Sequence, residues 1–276
     1  MFPENFSLQC CGLKTAIIAL AVISFFSPSY ATHSVGIDLS YECLGGNTYR
    51  FTLNFYRDCV GIDAPSPSAA INIFSNSCNV NTNISLPLQS VTEVSPICPQ
   101  LFPQSTCRGG SLPGIEQYVY SGTYTFPLQC SDWLISYELC CRNYAITNLM
   151  TPGDYNIYAE ALLDNTNGLC NNSPVFTTLP VPYFCANQTF NYNHGAIDGD
   201  GDSLVYSLVD PRTDRSTPIP HAGGFTAANP LATNLGFGFD TQTGQMTFNA
   251  RSNQQAVVTV RVDEYRNGVR VGSTLR

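Results

Sequence analysis

Lysine is almost missing from this chain: Lys14 is the only one, and eleven arginines supply the remaining positive charge against twenty Asp and Glu, a formal net charge of -8. No basic stripe exists, so there is no electrostatic footprint for a nucleic-acid phosphate backbone or an anionic membrane surface. Charged residues of both signs make up only 12% of the chain. The sequence also lacks an apolar run of about 20 residues, the length a membrane-spanning helix needs. It has no C-x-x-C pair, and its three histidines, His33, His194 and His221, stand far from any paired cysteines, so a structural zinc site has no ligand pattern. No segment carries the spacing of an amphipathic helix.

What is present points to an exported β-protein. Lys14 precedes an apolar run, Ala16 to Phe26, interrupted only by Ser24, and Ser29-Tyr30-Ala31 follows as a small-x-small cleavage site. Residues 1–31 therefore read as a secretory signal. Cys10 and Cys11 precede the apolar run, which argues against a lipid-acceptor cysteine. Ten cysteines remain, Cys43, Cys59, Cys78, Cys98, Cys107, Cys130, Cys140, Cys141, Cys170 and Cys185. An even number in an exported chain reads as a disulfide framework. All lie before residue 186, which marks a boundary between a cysteine-rich domain over 32–180 and a second domain over 181–276.

The first domain alternates apolar and polar residues. In VGIDLSYECLGGNTYRFTLNFYRDC, a three-residue loop from Gly45 to Asn47 pairs Tyr41 with Phe51, Leu39 with Leu53 and Ile37 with Phe55, keeping one apolar face. That register separates Cys43 from Cys59 too far for a bridge. In CSDWLISYELCC, Cys140 and Cys141 fall on opposite faces of a strand, so each is expected to find its own partner. Ala70 to Phe74, Ile115 to Tyr120 and Tyr155 to Leu163 are further strands, and the pattern is that of a β-sandwich.

The second domain offers strands at Gln188 to Asn193, Leu204 to Val209, Gln245 to Asn249, Ala256 to Tyr265 and Val269 to Leu275. Asn267-Gly268 closes the last two into a hairpin. Counting back from that turn sets Glu264 against Val271 and Val262 against Ser273. Val258, Val260, Val262, Val269 and Val271 then share the core face, and Asp263 projects from the other face beside Arg261 and Tyr265.

Three readings compete for AIDGDGDSLVYSLVD, residues 196–210. Asp198, Asp200 and Asp202 supply hard oxygen ligands for a calcium ion, although position six of an EF-hand loop would be Ser203 and position twelve Val209, so it is not an EF-hand. A solvated Asp-Gly turn explains the same spacing equally well. Gly201-Asp202-Ser203-Leu204 matches the nucleophile block of GDSL-type esterases. That reading fails on its partners: the only downstream histidine is His221, and Pro218 stands where the family's Asp should be.

Long blocks, ATHSVGIDLSYECLGGNTYRFTLNFYRDC, LPGIEQYVYSGTYTFP, SDWLISYELCCRNYAITNL and VPYFCANQTFNYNHGAIDGDGDSLVYSLVDP through VTVRVDEYRNGVRVGST, resemble the N-terminal region of very large secreted surface proteins of Bacteroidota. Those proteins often end in a gliding-motility-associated or type IX secretion sorting domain. Residues 198–208 with FDTQTG and VRVDEYRNG resemble a cadherin-like, dystroglycan-type Ig repeat. The resemblance implies two β-sandwiches, the first disulfide-braced and the second Ig-like, with structural calcium held by Asp198, Asp200, Asp202 and Asp263. Gly199 stands where the repeat commonly has Pro. The chain stops at Arg276 inside a strand pattern, which reads as a reading frame cut short.

The function expected is non-catalytic: a secreted or cell-surface adhesion or scaffold module, with an extracellular protein or glycan as partner. A carbohydrate-binding module is the alternative, with Tyr144, Tyr183 and Phe184 as candidate contacts. A GDSL-like hydrolase is the third reading.

Overall fold

The structure, a computed structural model, describes residues 34–166, 170–180 and 183–276. The leader read over residues 1–31 lies outside the described residues. Among the described residues fifteen strands account for the regular structure, with three 3-10 turns at Pro99–Gln104, Thr106–Arg108 and Pro152–Asp154. In chain order the strands are β1 (Ser34–Gly45), β2 (Thr48–Asp58), β3 (Ser68–Ser75), β4 (Val80–Glu93), β5 (Ile115–Thr125), β6 (Trp133–Leu139), β7 (Ile157–Leu163) and β8 (Val175–Phe176). They continue as β9 (Thr189–Tyr192), β10 (Ala196–Ile197), β11 (Ser203–Leu208), β12 (Thr233–Phe239), β13 (Met246–Ala250), β14 (Val260–Arg266) and β15 (Val269–Leu275). The all-β class expected from composition is observed.

Ten of these strands form one curled antiparallel sheet in the order β1-β2-β5-β4-β3-β6-β7-β15-β14-β11. Alternation decides which side faces in. Tyr49, Phe51, Leu53 and Phe55 of β2 are buried, as are Ile71 and Ile73 of β3, Trp133 and Ile135 of β6, and Ala159 and Ala161 of β7. The β1–β2 register, with Ile37, Leu39 and Tyr41 opposite Phe55, Leu53 and Phe51, is the one that the three-residue loop predicts. The curl brings β1 back over the far half of the sheet: Tyr41 Oη donates to the Leu162 carbonyl at 2.9 Å and Thr274 Oγ1 to the Leu39 carbonyl at 3.0 Å.

Two hydrophobic clusters share one sheet. A second cluster of Tyr206, Met246, Phe248, Val260 and Val262 lies apart from the first. The strand β15, however, pairs with β7 from Glu160 to Leu163. An unpaired β7 edge would leave a row of backbone donors and acceptors open, and the C-terminal hairpin covers them. The β12-β13-β9 and β8-β10 sheets complete the second half.

Among the described residues four disulfides are formed, Cys43–Cys170, Cys59–Cys107, Cys78–Cys130 and Cys140–Cys141, while Cys98 and Cys185 are free and exposed. This corrects the expectation of separate partners for Cys140 and Cys141. The strand β6 ends at Leu139, so the alternation that sends neighbouring side chains to opposite faces has stopped, and a cis peptide brings the two Cα atoms to 3.1 Å.

The C-terminal hairpin carries a second correction. Tyr265 pairs with Arg270 as the turn requires, but Glu264 pairs with Gly272 and Val262 with Thr274, because a bulge interrupts the ladder between Glu264 and Tyr265. One extra residue on β15 shifts every pair beyond it. Val269, expected on the core face with Val271, is 61% exposed.

Candidate functional site

The acidic loop sits where β10 gives way to β11. Asp198 Oδ1 accepts the backbone N–H groups of Asp200 and Asp202, both at 2.9 Å, and so bends the loop around its own carboxylate. Gly201, at φ +81°, supplies the left-handed residue this curvature needs. The pairing of Ser203 with Tyr265 then brings Asp202 level with Arg266 on β14. The Arg266 guanidinium donates two bonds of 2.7 Å to Asp202 and one of 3.0 Å to Asp200. These bonds hold it protonated more firmly than an ordinary arginine. Carboxylate oxygens of Asp198, Asp200 and Asp202 lie within 4.8 Å of one another.

A fourth carboxylate closes the corner. Glu264 is fully buried, and its Oε1 accepts hydrogen bonds from Asn171 Nδ2 at 2.6 Å and Tyr41 Oη at 3.1 Å. Burial, with the Asp198 carboxyl beside it, pushes the Glu264 carboxyl up to about 8 despite those two donors. Its Oε2 and the Oδ2 of Asp198 are buried atoms without a hydrogen-bond partner. Burial and the Glu264 carboxylate together raise the Tyr41 hydroxyl well above the usual tyrosine value, so it stays a donor.

Four separate stretches of chain meet here. Asn172 donates to Asp200 through its backbone N–H (2.8 Å) and its Nδ2 (2.6 Å), and its Oδ1 accepts from the Cys43 backbone N–H at 2.8 Å. Asn171 Oδ1 accepts from Arg266 at 2.9 Å. The Cys43–Cys170 disulfide pins this asparagine pair to β1. The corner thus links the first hairpin, the segment after Cys170, the acidic loop and the last hairpin.

The charge does not balance. Asp198, Asp200, Asp202 and Glu264 bring four negative charges when ionised, and Arg266 brings one positive, leaving three in excess. Two of the four carboxylates, Asp198 and Glu264, each keep an oxygen free of donors. Clustered carboxylates of this kind either hold a proton between them or bind a cation. The donor set, hard oxygens alone, fits calcium or magnesium rather than a softer metal.

Three of the four residues expected as ligands are therefore brought together, and Asp263 is not. Adjacent residues of a strand point to opposite faces, so Asp263 leaves β14 on the side away from Glu264. It is buried there between Arg261 (3.0 Å) and Arg270 (3.3 Å), whose charges satisfy it. The acidic residue of β14 that reaches the corner is its neighbour. Sequence reasoning missed Glu264, Asn171, Tyr41 and Arg266. The signals available were the Asp-Glu pair itself and the Asn-Asn that follows Cys170.

Among the described residues the serine reading gains no histidine partner. Ser203 opens β11, while His221 Nε2 is bonded to Asp210 at 3.0 Å and His194 Nδ1 accepts from Arg276 at 3.1 Å. Among the candidate surface aromatics, Tyr144 and Tyr183 are exposed, whereas Phe184 packs on Phe190, Tyr192 and Phe248.

Compared with protein-family models, curated proteins and solved structures, the chain matches none. What fold and site together define is an all-β, disulfide-braced protein with an acidic corner built around the buried Glu264. Four disulfides fit an exported protein. No helix among the described residues is long and apolar enough to cross a membrane.

Proposed function

We propose that this is an exported, non-catalytic scaffold or adhesion module whose acidic corner takes up calcium, and that its second half is the cadherin-like part. The observation that carries the reading is the pair of donor-free oxygens, Glu264 Oε2 and Asp198 Oδ2, inside a corner with excess negative charge. Asp198, Asp200, Asp202 and Glu264 would hold the ion, with Glu264 in the role expected of Asp263. The ion would supply positive charge and allow Glu264 to ionise. Asn171, Asn172 and Tyr41 orient the carboxylates. Arg266 restrains Asp200 and Asp202 and limits their repulsion.

The use of such an ion is mechanical. The ion would tie the acidic loop to β14, more than sixty residues further along the chain, so binding favours the assembled state by mass action. The likeness of the sequence to large secreted surface proteins of Bacteroidota supports display outside the cell and a protein or glycan as partner. Thermal melting in calcium and in chelator tests the metal role. At calcium one hundred times its dissociation constant the gain is about 2.7 kcal/mol. The midpoint should rise in wild type and stay fixed in Asp198→Asn. Equal midpoints for wild type in both buffers would remove calcium from the reading.

A further inference from the structure

A cleft of about 730 Å³ opens beside the second hydrophobic cluster, between the start of β1, the loop around Ile146 and the segment from Ser252 to Thr259. Its floor is apolar and aromatic: Phe184, Tyr192, Phe237, Met246 and Phe248 line it, and the same side chains pack the second core. That size and character suit a small organic molecule.

Its buried polar groups include a cation without an anion and a ring nitrogen without a partner. Arg142 is 7% exposed and spends its hydrogen bonds on two carbonyls, those of Asn156 (3.0 Å) and Arg212 (3.3 Å). No carboxylate of the described residues lies within 4 Å of it; Asp58, which also reaches the cleft, makes no ion pair with it. A buried guanidinium without an anion is costly. Burial lowers its pKa only to about 10, so the charge remains at neutral pH.

His194 adds the second donor. Arg276 can only donate, so His194 Nδ1 must be the acceptor of their 3.1 Å bond and the ring proton sits on Nε2. Nε2 is buried and has no partner. Arg276 itself is neutralised by Asp38 at 2.5 and 2.9 Å. Arg142 and His194 both line the cleft.

We propose that this cleft binds an elongated apolar carboxylate, its headgroup paired with Arg142, its chain on the aromatic floor and any distal acceptor on His194 Nε2. The site is independent of the acidic corner. Its test is calorimetric titration of the mature protein with decanoate and with decan-1-ol, in calcium and in chelator alike. Decanoate should bind at least tenfold tighter than the alcohol. Arg142→Gln should bring decanoate down to the alcohol's affinity, and Ala186→Trp, which adds bulk to the cleft lining, should abolish both. Arg142→Lys keeps a cation in place should the glutamine variant not fold, and should retain the preference for decanoate. Equal affinities for the two amphiphiles in wild type, no binding of either, or an unchanged decanoate affinity in folded Arg142→Gln would each overturn the proposal.

Discussion

Asp263 and Glu264 are one residue apart and live in different electrostatic worlds. Asp263 has two arginines, while Glu264 has two neutral donors and another carboxyl beside it. The sequence cannot separate them by polarity, because β14 is covered on both faces and alternation no longer marks an outside. The difference should appear in pH dependence. Glu264 titrates near 8 in the folded protein and near 4.5 when unfolded. Between those values the folded state holds the extra proton, so without a bound ion stability falls as pH rises from about 4.5 to about 8. Glu264→Gln should flatten that slope in chelator, as followed by denaturant midpoints. His194 has the opposite sign. Burial and Arg276 press its imidazole down to about 3 against an unfolded value of 6.5, so the stability it contributes is complete above 6.5 and drains as pH falls. A tenfold difference in proton affinity between the folded and unfolded chain corresponds to about 1.4 kcal/mol. His194→Gln should be less acid-labile than wild type over that range.

Among the elements, the strands with strong alternation were legible and those without it were not. The β1–β2 hairpin followed from the requirement that one face stay apolar. The strand β4 was missed although Val80, Ile84, Leu86 and Leu88 share one face against Asn81, Asn83, Ser85 and Pro87, because Thr82 interrupts the apolar set and Pro87 sits within the strand. The β14–β15 register was displaced because a bulge is a backbone choice that Asn267-Gly268 does not encode. Gly272, set opposite Glu264 by that bulge, has a specific steric reason to be glycine. A Cβ there would run into Glu264 Oε1, the Tyr41 hydroxyl and the Leu162 carbonyl. Gly272→Ala should therefore destabilise by roughly 1–3 kcal/mol, the usual cost of overpacking, and weaken calcium uptake along with it. A variant as stable as wild type in chemical denaturation would show that the packing around Glu264 is looser than described.

For the molecule as a whole, the two cores are joined by a sheet in which residues more than a hundred positions apart are neighbours. The segment beyond Cys185 supplies β15 to the edge of β7, a pairing that the cysteine distribution does not encode. One consequence is cooperative unfolding: calorimetry should record a single transition with equal calorimetric and van't Hoff enthalpies. Two resolved transitions would mean that the β7–β15 junction yields before either core. A second consequence concerns Cys43–Cys170, which anchors the asparagine pair of the acidic corner. Replacing both cysteines by serine should cost about 2–5 kcal/mol and remove most of the calcium-dependent gain.

The acidic corner offers its own reporter, because the Tyr41 ring reaches Glu264 through a 3.1 Å hydrogen bond. Terbium, an oxygen-seeking stand-in for calcium, should show tyrosine-sensitised luminescence that saturates at one ion per chain, is displaced by calcium, and drops at least tenfold in Asp198→Asn and Glu264→Gln. Luminescence that is absent from wild type, or that survives both substitutions unchanged, would contradict a cation at this corner.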